Sequence, residues 1–241
     1  MSGARELWVV RLGAMPYGEA LELQRAAARA RITGAIPQDV LLLVEHEPVV
    51  TTGRTAKLQN LTASPELLAQ RGVTVFEVER GGDITYHGPG QLVGYPIVDL
   101  KRHKQDLHWY LRQVEEALIR ALARYHVTGD RSAGFTGVWT RGLTAAEPHA
   151  PRKIASIGVH ARDWVTWHGF ALNVSTELSY FDLIVPCGIA GVDMTSMSRE
   201  LGEVVAMRAA EDAAAASFGE VFSLAPIETS VLALSLQAGA A

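Results

Sequence analysis

The feature that most constrains the fold is a glycine-rich block at residues 80–94, RGGDITYHGPGQLVG, with five glycines and one proline. Glycine adopts backbone conformations that other residues avoid, and it lets a ligand or another chain segment approach the main chain closely. A strand pattern resumes at residues 92–100. The block therefore predicts a tight turn region between strands rather than a helix. Because it lacks the GxxxxGK[ST] and GxGxxG spacings, it does not predict a nucleotide phosphate site.

Short apolar runs that alternate with helical patterns fill the rest of the chain. Strand-like runs are predicted at residues 7–12, 40–44, 49–52, 73–78, 135–139, 153–160 and 165–174, the last two as a hairpin around residues 161–163. Helical patterns are predicted at residues 19–31, 107–125 and 203–218, with Asp106 as an N-cap. These elements predict an α/β or α+β fold, a mixed sheet flanked by helices. We expect one domain at residues 1–222 and a tail of mixed signals at residues 223–241.

Composition excludes several classes of protein. Hydrophobic residues make up 48% and charged residues 20% of the chain, which is incompatible with intrinsic disorder. The charge balance, 22 − 26 = −4, argues against a general nucleic-acid binder. The apolar run at residues 40–44 is far shorter than the ~20 residues that span a bilayer, and no signal peptide is visible. We expect a cytoplasmic protein without membrane or nucleic-acid partners.

The single cysteine, Cys187, is the first candidate for chemistry, and it excludes an intramolecular disulfide. A free cysteine most often serves as a small buried hydrophobe. Here, however, it lies between Pro186, which fixes φ, and Gly188, which allows unusual backbone shapes. That context favours a turn that presents the sulfur to a ligand.

A thiol with the ordinary pKa of ~8.5 needs a nearby cation to react as a thiolate near neutral pH. The candidates are Lys153, which opens an apolar strand, and the histidines His87, His160 and His168. Each also has a structural interpretation, such as a solvated strand end or a turn histidine. A metal site is not predicted, because one cysteine and no HExxH pair cannot supply a typical zinc ligand set. A serine hydrolase would need a G-x-S-x-G motif, which the sequence lacks.

Three separated blocks together resemble the octanoyl-[acyl-carrier-protein]:protein octanoyltransferases, also called lipoate-protein ligase B. They are RGGDITYHGPGQLVGYPIVDL (residues 80–100), RKIASIGVHARDWVTWHGFALNV (residues 152–174) and IVPCGI (residues 184–189). A weaker match, EHEPVVTTGR, lies at residues 45–54. The resemblance extends over residues 7–201. Asp83 occupies a position that varies in the family.

The resemblance implies the fold of the biotin- and lipoate-protein ligases. It implies that Cys187 carries the acyl group as a thioester, and that Lys153 lowers the pKa of this thiol and acts as general acid and base. It implies no cofactor, neither nucleotide nor metal. The donor would be octanoyl-acyl carrier protein, and the acceptors would be lipoyl domains of 2-oxoacid dehydrogenase E2 subunits and the glycine cleavage H protein. The residues expected to line the acyl site are Arg80, Gly81, Gly82, Asp83, Ile84, Thr85, Tyr86, His87, Ser156, Ile157, Gly158, Gly169, Phe170 and Ala171.

This chemistry needs no ATP, because a thioester donor is already activated, whereas the acceptor lysine, with an ordinary pKa of ~10.4, needs a general base. The backbone N–H groups of Cys187 and Gly188 are candidate oxyanion donors. Candidates for docking an acidic carrier protein are Arg54, Lys57, Arg141, Arg152 and Arg162. Three alternatives stay open: an ATP-dependent lipoate or octanoate ligase of the same fold, a non-catalytic module that binds the acyl carrier, and a cysteine hydrolase.

Overall fold

A large and a small β-sheet form the framework of the protein in the computed structural model, which describes residues 5–140 and 151–238. The strands are β1 (Glu6–Ala14), β2 (Asp39–Glu45), β3 (Val49–Thr52), β4 (Thr74–Glu77), β5 (Ile84–His87), β6 (Gln91–Ile97), β7 (Gly129–Ser132), β8 (Phe135–Thr140), β9 (Arg152–Arg162), β10 (Val165–Asn173) and β11 (Ala225–Thr229). The helices are α1 (Tyr17–Thr33), α2 (Pro65–Gln70), α3 (Leu107–Ala123), α4 (Met197–Leu201), α5 (Met207–Phe222) and α6 (Val231–Ala238).

The large sheet has the strand order β11-β1-β2-β6-β10-β9-β8-β7 within the described residues. Strand β1 is parallel to both of its neighbours, β2 and β11, and the other pairings in this sheet are antiparallel. The small sheet has the order β4-β3-β5, with β3 parallel to β4 and antiparallel to β5. The predicted mixed sheet flanked by helices is thus confirmed.

Both faces of the large sheet are buried, as strand β2 illustrates. Leu41 and Leu43 point into a core that also holds residues of α3 and α5, whereas Leu42 and Val44 point into a second core shared with α1. Side chains alternate between the two faces of a strand, so a strand covered on both sides is apolar throughout. This explains the unbroken VLLLV run.

A third core joins the small sheet to the segment that carries Cys187. It includes Val50 and Tyr86 of the small sheet together with Phe181, Leu183 and Ile184. Backbone contacts strengthen this connection, because the N–H of Val185 donates to the carbonyl of Asn60, at 2.7 Å, in the segment after β3. The turn that bears the cysteine is therefore held by the small sheet.

Two predicted elements agree closely with the structure. Helix α3 begins after Asp106, whose carboxylate accepts a hydrogen bond from the N–H of Trp109, so the predicted N-cap is confirmed. The predicted hairpin is formed by β9 and β10, which join through a two-residue turn. That turn comprises Asp163 and Trp164, both with positive φ, and not the predicted residues 161–163. Positive φ at both central positions is the type I′ geometry that matches strand twist.

The alanine-rich helix is displaced by four residues from its predicted span of 203–218. Helix α4 ends at Gly202 in the left-handed conformation, and the N–H of Val205 is taken by the Ser198 hydroxyl, so α5 begins only at Met207. At its other end α5 continues through Gly219. A Cβ on Gly219 would lie 2.5 Å from Pro226, so this glycine allows close packing of β11 and does not end the helix.

The chain after residue 223, which the sequence analysis sets apart as a tail, contributes to the main sheet. Strand β11 pairs in parallel with β1, in the register Glu6 with Ala225 through Val10 with Thr229. Leu234 of α6 is buried in the core beside α1. No helix in residues 5–140 and 151–238 is both long and apolar enough to cross a membrane.

Candidate active site

Cys187 lies at the tip of a short turn, residues 186–188, in a strained backbone conformation. Its φ of 56° and ψ of 18° are left-handed, a region that costs a non-glycine residue of order 1–3 kcal/mol. The next residue, Gly188, also has a positive φ, and a Cβ there would lie 2.6 Å from a carboxylate oxygen of Asp83. The turn therefore requires glycine after the cysteine, and it leaves the thiol partly exposed.

The turn also removes one of the two predicted oxyanion donors. The N–H of Gly188 already donates to the carbonyl of Val185 at 2.9 Å. A donor that is engaged in closing the turn is not free for a developing oxyanion, so this prediction is wrong for Gly188. Among the described residues, no hydrogen bond occupies the N–H of Cys187.

Lys153 is buried, with 1% of its surface exposed, and is not the solvated strand end that its sequence position allowed. Its Nζ lies 3.3 Å from Sγ of Cys187 and donates to the carbonyl of Thr136 at 3.1 Å. The same ammonium lies 5.1 Å from the centre of the Trp139 ring, within cation–π range. A lysine is rarely buried without partners, and here its partners hold Nζ directly against the thiol.

An irregularity in β9 aims Lys153 into the site. Trp139 pairs with Lys153, but Val138 pairs with Ala155, so β9 has one extra residue at this point. Such a β-bulge changes the alternation of side chains and re-aims them. As a result Lys153 and Ser156, three positions apart, face the same side, and the hydroxyl oxygen of Ser156 lies 3.7 Å from Sγ of Cys187.

A cavity of about 590 Å³ opens beside the cysteine and lysine. It is lined by all the sequence-predicted acyl-site residues except Tyr86: Arg80, Gly81, Gly82, Asp83, Ile84, Thr85, His87, Ser156, Ile157, Gly158, Gly169, Phe170 and Ala171. Tyr86 was predicted wrongly to line the cavity. On strand β5 its side chain points opposite to Thr85 and His87, and its ring stacks on Tyr180 at 4.9 Å.

Other lining residues come from distant parts of the chain and were missed. They are Tyr17, Val93, Tyr95, Leu107, His108, Leu111, Gly134, Phe135, Thr136, Val159 and Ile189. His168 and Gly188, which the sequence suggested for other roles in the site, also line the cavity. Most of the missed residues are ordinary apolar or aromatic residues in helices and strands. The sequence carries no local signal that distinguishes such a residue in a pocket wall from one in the core.

Arg80 anchors the glycine-rich loop beneath the cavity. Its guanidinium donates to the carbonyl of Thr51 at 2.7 Å and to its hydroxyl at 2.9 Å. Burial lowers the pKa of Arg80 below its usual range. The loop also lies directly on β9, where a Cβ on Gly158 would come within 2.8 Å of the carbonyl oxygen of Gly81. These contacts hold the RGG segment of the loop (residues 80–82) against the SIG segment of β9 (residues 156–158) in the wall of the cavity.

The buried histidine His87 lines the cavity as a neutral ring. Both amide hydrogens of Gln91 are used, on Tyr86 O and on Asn173, so its oxygen accepts from Nδ1–H of His87 at 2.8 Å. Burial is the main cause that lowers the pKa of His87 to about 3. In this tautomer, Nε2 keeps a lone pair and can only accept a hydrogen bond.

A second buried histidine, His46, lies beside His87 with ring centres 6.1 Å apart. Its Nδ1 donates to the carbonyl of Met15, and its Nε2 accepts from the Tyr95 hydroxyl at 2.7 Å. Burial lowers the pKa of His46 to about 4. Both rings are therefore uncharged near neutral pH.

These two histidines predict a loss of stability in mild acid. In the unfolded chain a histidine has a pKa of ~6.5, so it binds a proton in mild acid, whereas the two buried rings stay neutral in the folded protein. The free energy of unfolding therefore falls as the pH drops from 7 toward 4. At pH 5 we expect each to cost about 2 kcal/mol relative to pH 8. Urea denaturation at the two pH values measures the difference. The His87→Gln variant should reduce the difference by about 2 kcal/mol, whereas the exposed His126→Asn should keep it in full; an undiminished difference in His87→Gln would contradict the assignment.

The basic residues proposed for docking divide into three groups. Arg152 forms an ion pair with Glu200 at 2.8 Å, and Arg162 lies 3.7 Å from Asp163 at an exposed hairpin turn. Arg54 and Lys57 are exposed, lie beside the glycine-rich loop and form no ion pair with any described residue. Arg141 lies outside the described residues. No three metal-ligating side chains converge in the part of the chain that is described.

Comparisons with known proteins identify the family of this chain. The family model of the lipoyl protein ligase A/B catalytic domain matches residues 16–219. An octanoyltransferase of Koribacter versatilis is 50% identical over 216 residues, which cover 89% of this chain and 83% of that protein. One of Myxococcus xanthus is 48% identical over 214 residues and 89% of this chain, but the match spans only 59% of that relative's length.

The fold has solved counterparts as well. A structure of a bipartite lipoate protein ligase from Thermoplasma acidophilum superimposes with a TM-score of 0.71 over 97% of this chain and 91% of that one, at 15% identity. That likeness shows the fold, whereas the family follows from the sequence matches. The chain belongs to the octanoyltransferases that carry the lipoyl protein ligase A/B catalytic domain.

Proposed function

We propose that the protein transfers an octanoyl group from acyl carrier protein to a lysine of a lipoyl domain through a thioester on Cys187. The observation that carries this proposal is the 3.3 Å approach of Lys153 Nζ to Cys187 Sγ at the wall of the cavity. The cavity beside the pair can receive the acyl chain, and each methylene that is buried there contributes ~0.8 kcal/mol to the free energy of binding. The acceptors proposed are E2 lipoyl domains and the glycine cleavage H protein.

In the first half-reaction the Cys187 thiolate attacks the carbonyl carbon of the donor thioester. The new carbon–sulfur bond forms as the bond to the phosphopantetheine sulfur breaks, and the Lys153 ammonium gives its proton to that leaving thiolate. Little free energy changes, because one thioester replaces another. Lys153 is left neutral beside the acyl-enzyme.

In the second half-reaction the neutral amine of the acceptor lysine attacks the same carbonyl carbon. An amide bond forms, the bond to Cys187 breaks, and the proton lost by the attacking nitrogen passes to Lys153. The ammonium and the thiolate are thereby restored together. One pair of side chains serves both half-reactions, since the proton that Lys153 gives in the first is returned in the second.

The test is a transfer assay with octanoyl-carrier protein, a purified lipoyl domain and no ATP. We expect the octanoylated domain by intact mass spectrometry, and no product from a domain whose target lysine is replaced by arginine. Product formed only from free octanoate and ATP would contradict the proposal in favour of a ligase. Binding of the carrier without turnover would favour a non-catalytic module, and release of free octanoate would favour a hydrolase.

The same assay locates the carrier protein. Acyl carrier proteins are acidic, and Arg54 and Lys57 are exposed cations beside the glycine-rich loop that form no ion pair with any described residue. Replacing both with glutamate should raise KM for octanoyl-carrier protein about tenfold, with a much smaller effect for octanoyl-pantetheine. An equal effect on both donors would place docking elsewhere.

A further inference from the structure

Ser156 contacts the sulfur of Cys187, as Lys153 does. Its hydroxyl lies 3.7 Å from Cys187 Sγ, and among the described residues this is the one hydrogen-bond contact of that hydroxyl. The β9 bulge is the cause. In a regular strand, Lys153 and Ser156 would face opposite sides because they are three positions apart; the extra residue between Lys153 and Ala155 brings them to the same side.

The direction of the hydrogen bond follows from the charge on the sulfur. A thiolate carries lone pairs and no hydrogen, so in the reactive state the hydroxyl is the donor and the sulfur is the acceptor. The thiolate then has two donors, the ammonium of Lys153 at 3.3 Å and the hydroxyl of Ser156 at 3.7 Å. Hydrogen bonds to the charged form favour that form.

The same hydroxyl becomes available once the sulfur is acylated. A thioester sulfur carries no negative charge and accepts hydrogen bonds weakly, so the Ser156 hydroxyl is released. The carbonyl oxygen of the acyl group is attached to the carbon bonded to Sγ, which keeps it close to the hydroxyl. An additional donor is needed there, because the N–H of Gly188 is occupied in the turn.

We propose that Ser156 is a catalytic residue: its hydroxyl donates to the Cys187 thiolate and, in each tetrahedral intermediate, to the oxyanion. It keeps its proton throughout, so the balance of bonds and protons in the two half-reactions is unchanged. This inference rests on the proposed thioester on Cys187. It assigns a role in the reaction to a residue otherwise expected only to line the acyl site.

The test combines thiol reactivity with steady-state kinetics of Ser156→Ala. We expect the pH midpoint of Cys187 alkylation by iodoacetamide to rise, and kcat to fall about 10- to 100-fold with KM for the donor within twofold. Ser156→Thr, which retains the hydroxyl, should restore most of both values. The matched control is Ser175→Ala, which removes an exposed serine hydroxyl outside the cavity and should leave the alkylation midpoint and kcat unchanged.

A merely structural lining role gives a different result. In that case Ser156→Ala would shift KM while the alkylation midpoint stayed at the wild-type value, and that outcome overturns the inference. Melting temperatures of all variants check that the fold is intact. Alkylation reports on the thiol without any acyl transfer, so a failure of the proposed function, seen as absence of an acyl-enzyme in the wild type, is distinguishable from a failure of this proposal.

Discussion

Replacing Cys187 with alanine is expected to abolish both the acyl-enzyme and the transfer of octanoate, with a loss of kcat/KM on the order of 10⁴-fold or more. The reason is that both half-reactions pass through a bond to this sulfur, and the chain contains no other cysteine that could replace it. The measurement is intact mass after incubation with octanoyl-carrier protein in the absence of acceptor. The wild type should gain one octanoyl group.

Cys187→Ser sharpens this test. A serine hydroxyl is far less acidic than a thiol, so Lys153 cannot hold it as an anion, and the variant should be as inactive as alanine. An octanoyl adduct that persists in the alanine variant would place the acyl group on another side chain. Unchanged binding of the carrier protein to both variants serves as the control for an intact fold.

Replacing Lys153 with methionine is expected to lower kcat/KM by about 10³-fold, the second largest effect. Methionine fills most of the volume of a side chain that is 1% exposed, so the loss reflects the missing ammonium rather than a cavity. The pH midpoint of Cys187 alkylation should rise as well, because an opposite charge at 3.3 Å favours the thiolate. Rapid-quench measurement of acylation and transfer separates the two half-reactions.

The matched control is Lys57→Met, which removes an exposed lysine near the same loop and should leave the alkylation profile unchanged. Lys153→Arg separates charge from proton transfer, because arginine keeps its charge but does not give up a proton. We expect it to retain part of the thiol reactivity and little of the transfer. Acylation and transfer at wild-type rates in Lys153→Met would refute the proposed acid–base role.

Local patterns predicted those elements whose determinants lie close together in the sequence. The N-cap at Asp106 and the hairpin of β9 and β10 each depend on a few adjacent residues. Local rules failed where packing outweighed them. Gly219 lies inside α5 and does not end it; the absence of a side chain there allows Pro226 to pack closely against the helix. The predicted tail contains strand β11, which pairs with β1 some 220 positions away in the sequence.

The sequence predicted many of the residues that lie around the cavity, but not how they are arranged. The approach of Lys153 to Cys187, and of Ser156 to the same sulfur, depends on one extra residue in the register of β8 with β9. A shift of one residue reverses which side chains face a pocket, and apolar patterns on a strand buried on both faces do not specify it. Tyr86 has a different explanation: the resemblance implied the whole segment 80–87, whereas on strand β5 the ring of Tyr86 points away from the cavity and stacks on Tyr180.

The two proposed catalytic groups belong to different sheets of the molecule. Cys187 is held by the core of the small sheet, whereas Lys153 belongs to a strand of the large one. The distance between Lys153 Nζ and Cys187 Sγ therefore depends on the relative position of the two sheets. A substitution far from the site that shifts one sheet by about an ångström relative to the other could leave the melting temperature unchanged, yet it would leave the enzyme inactive.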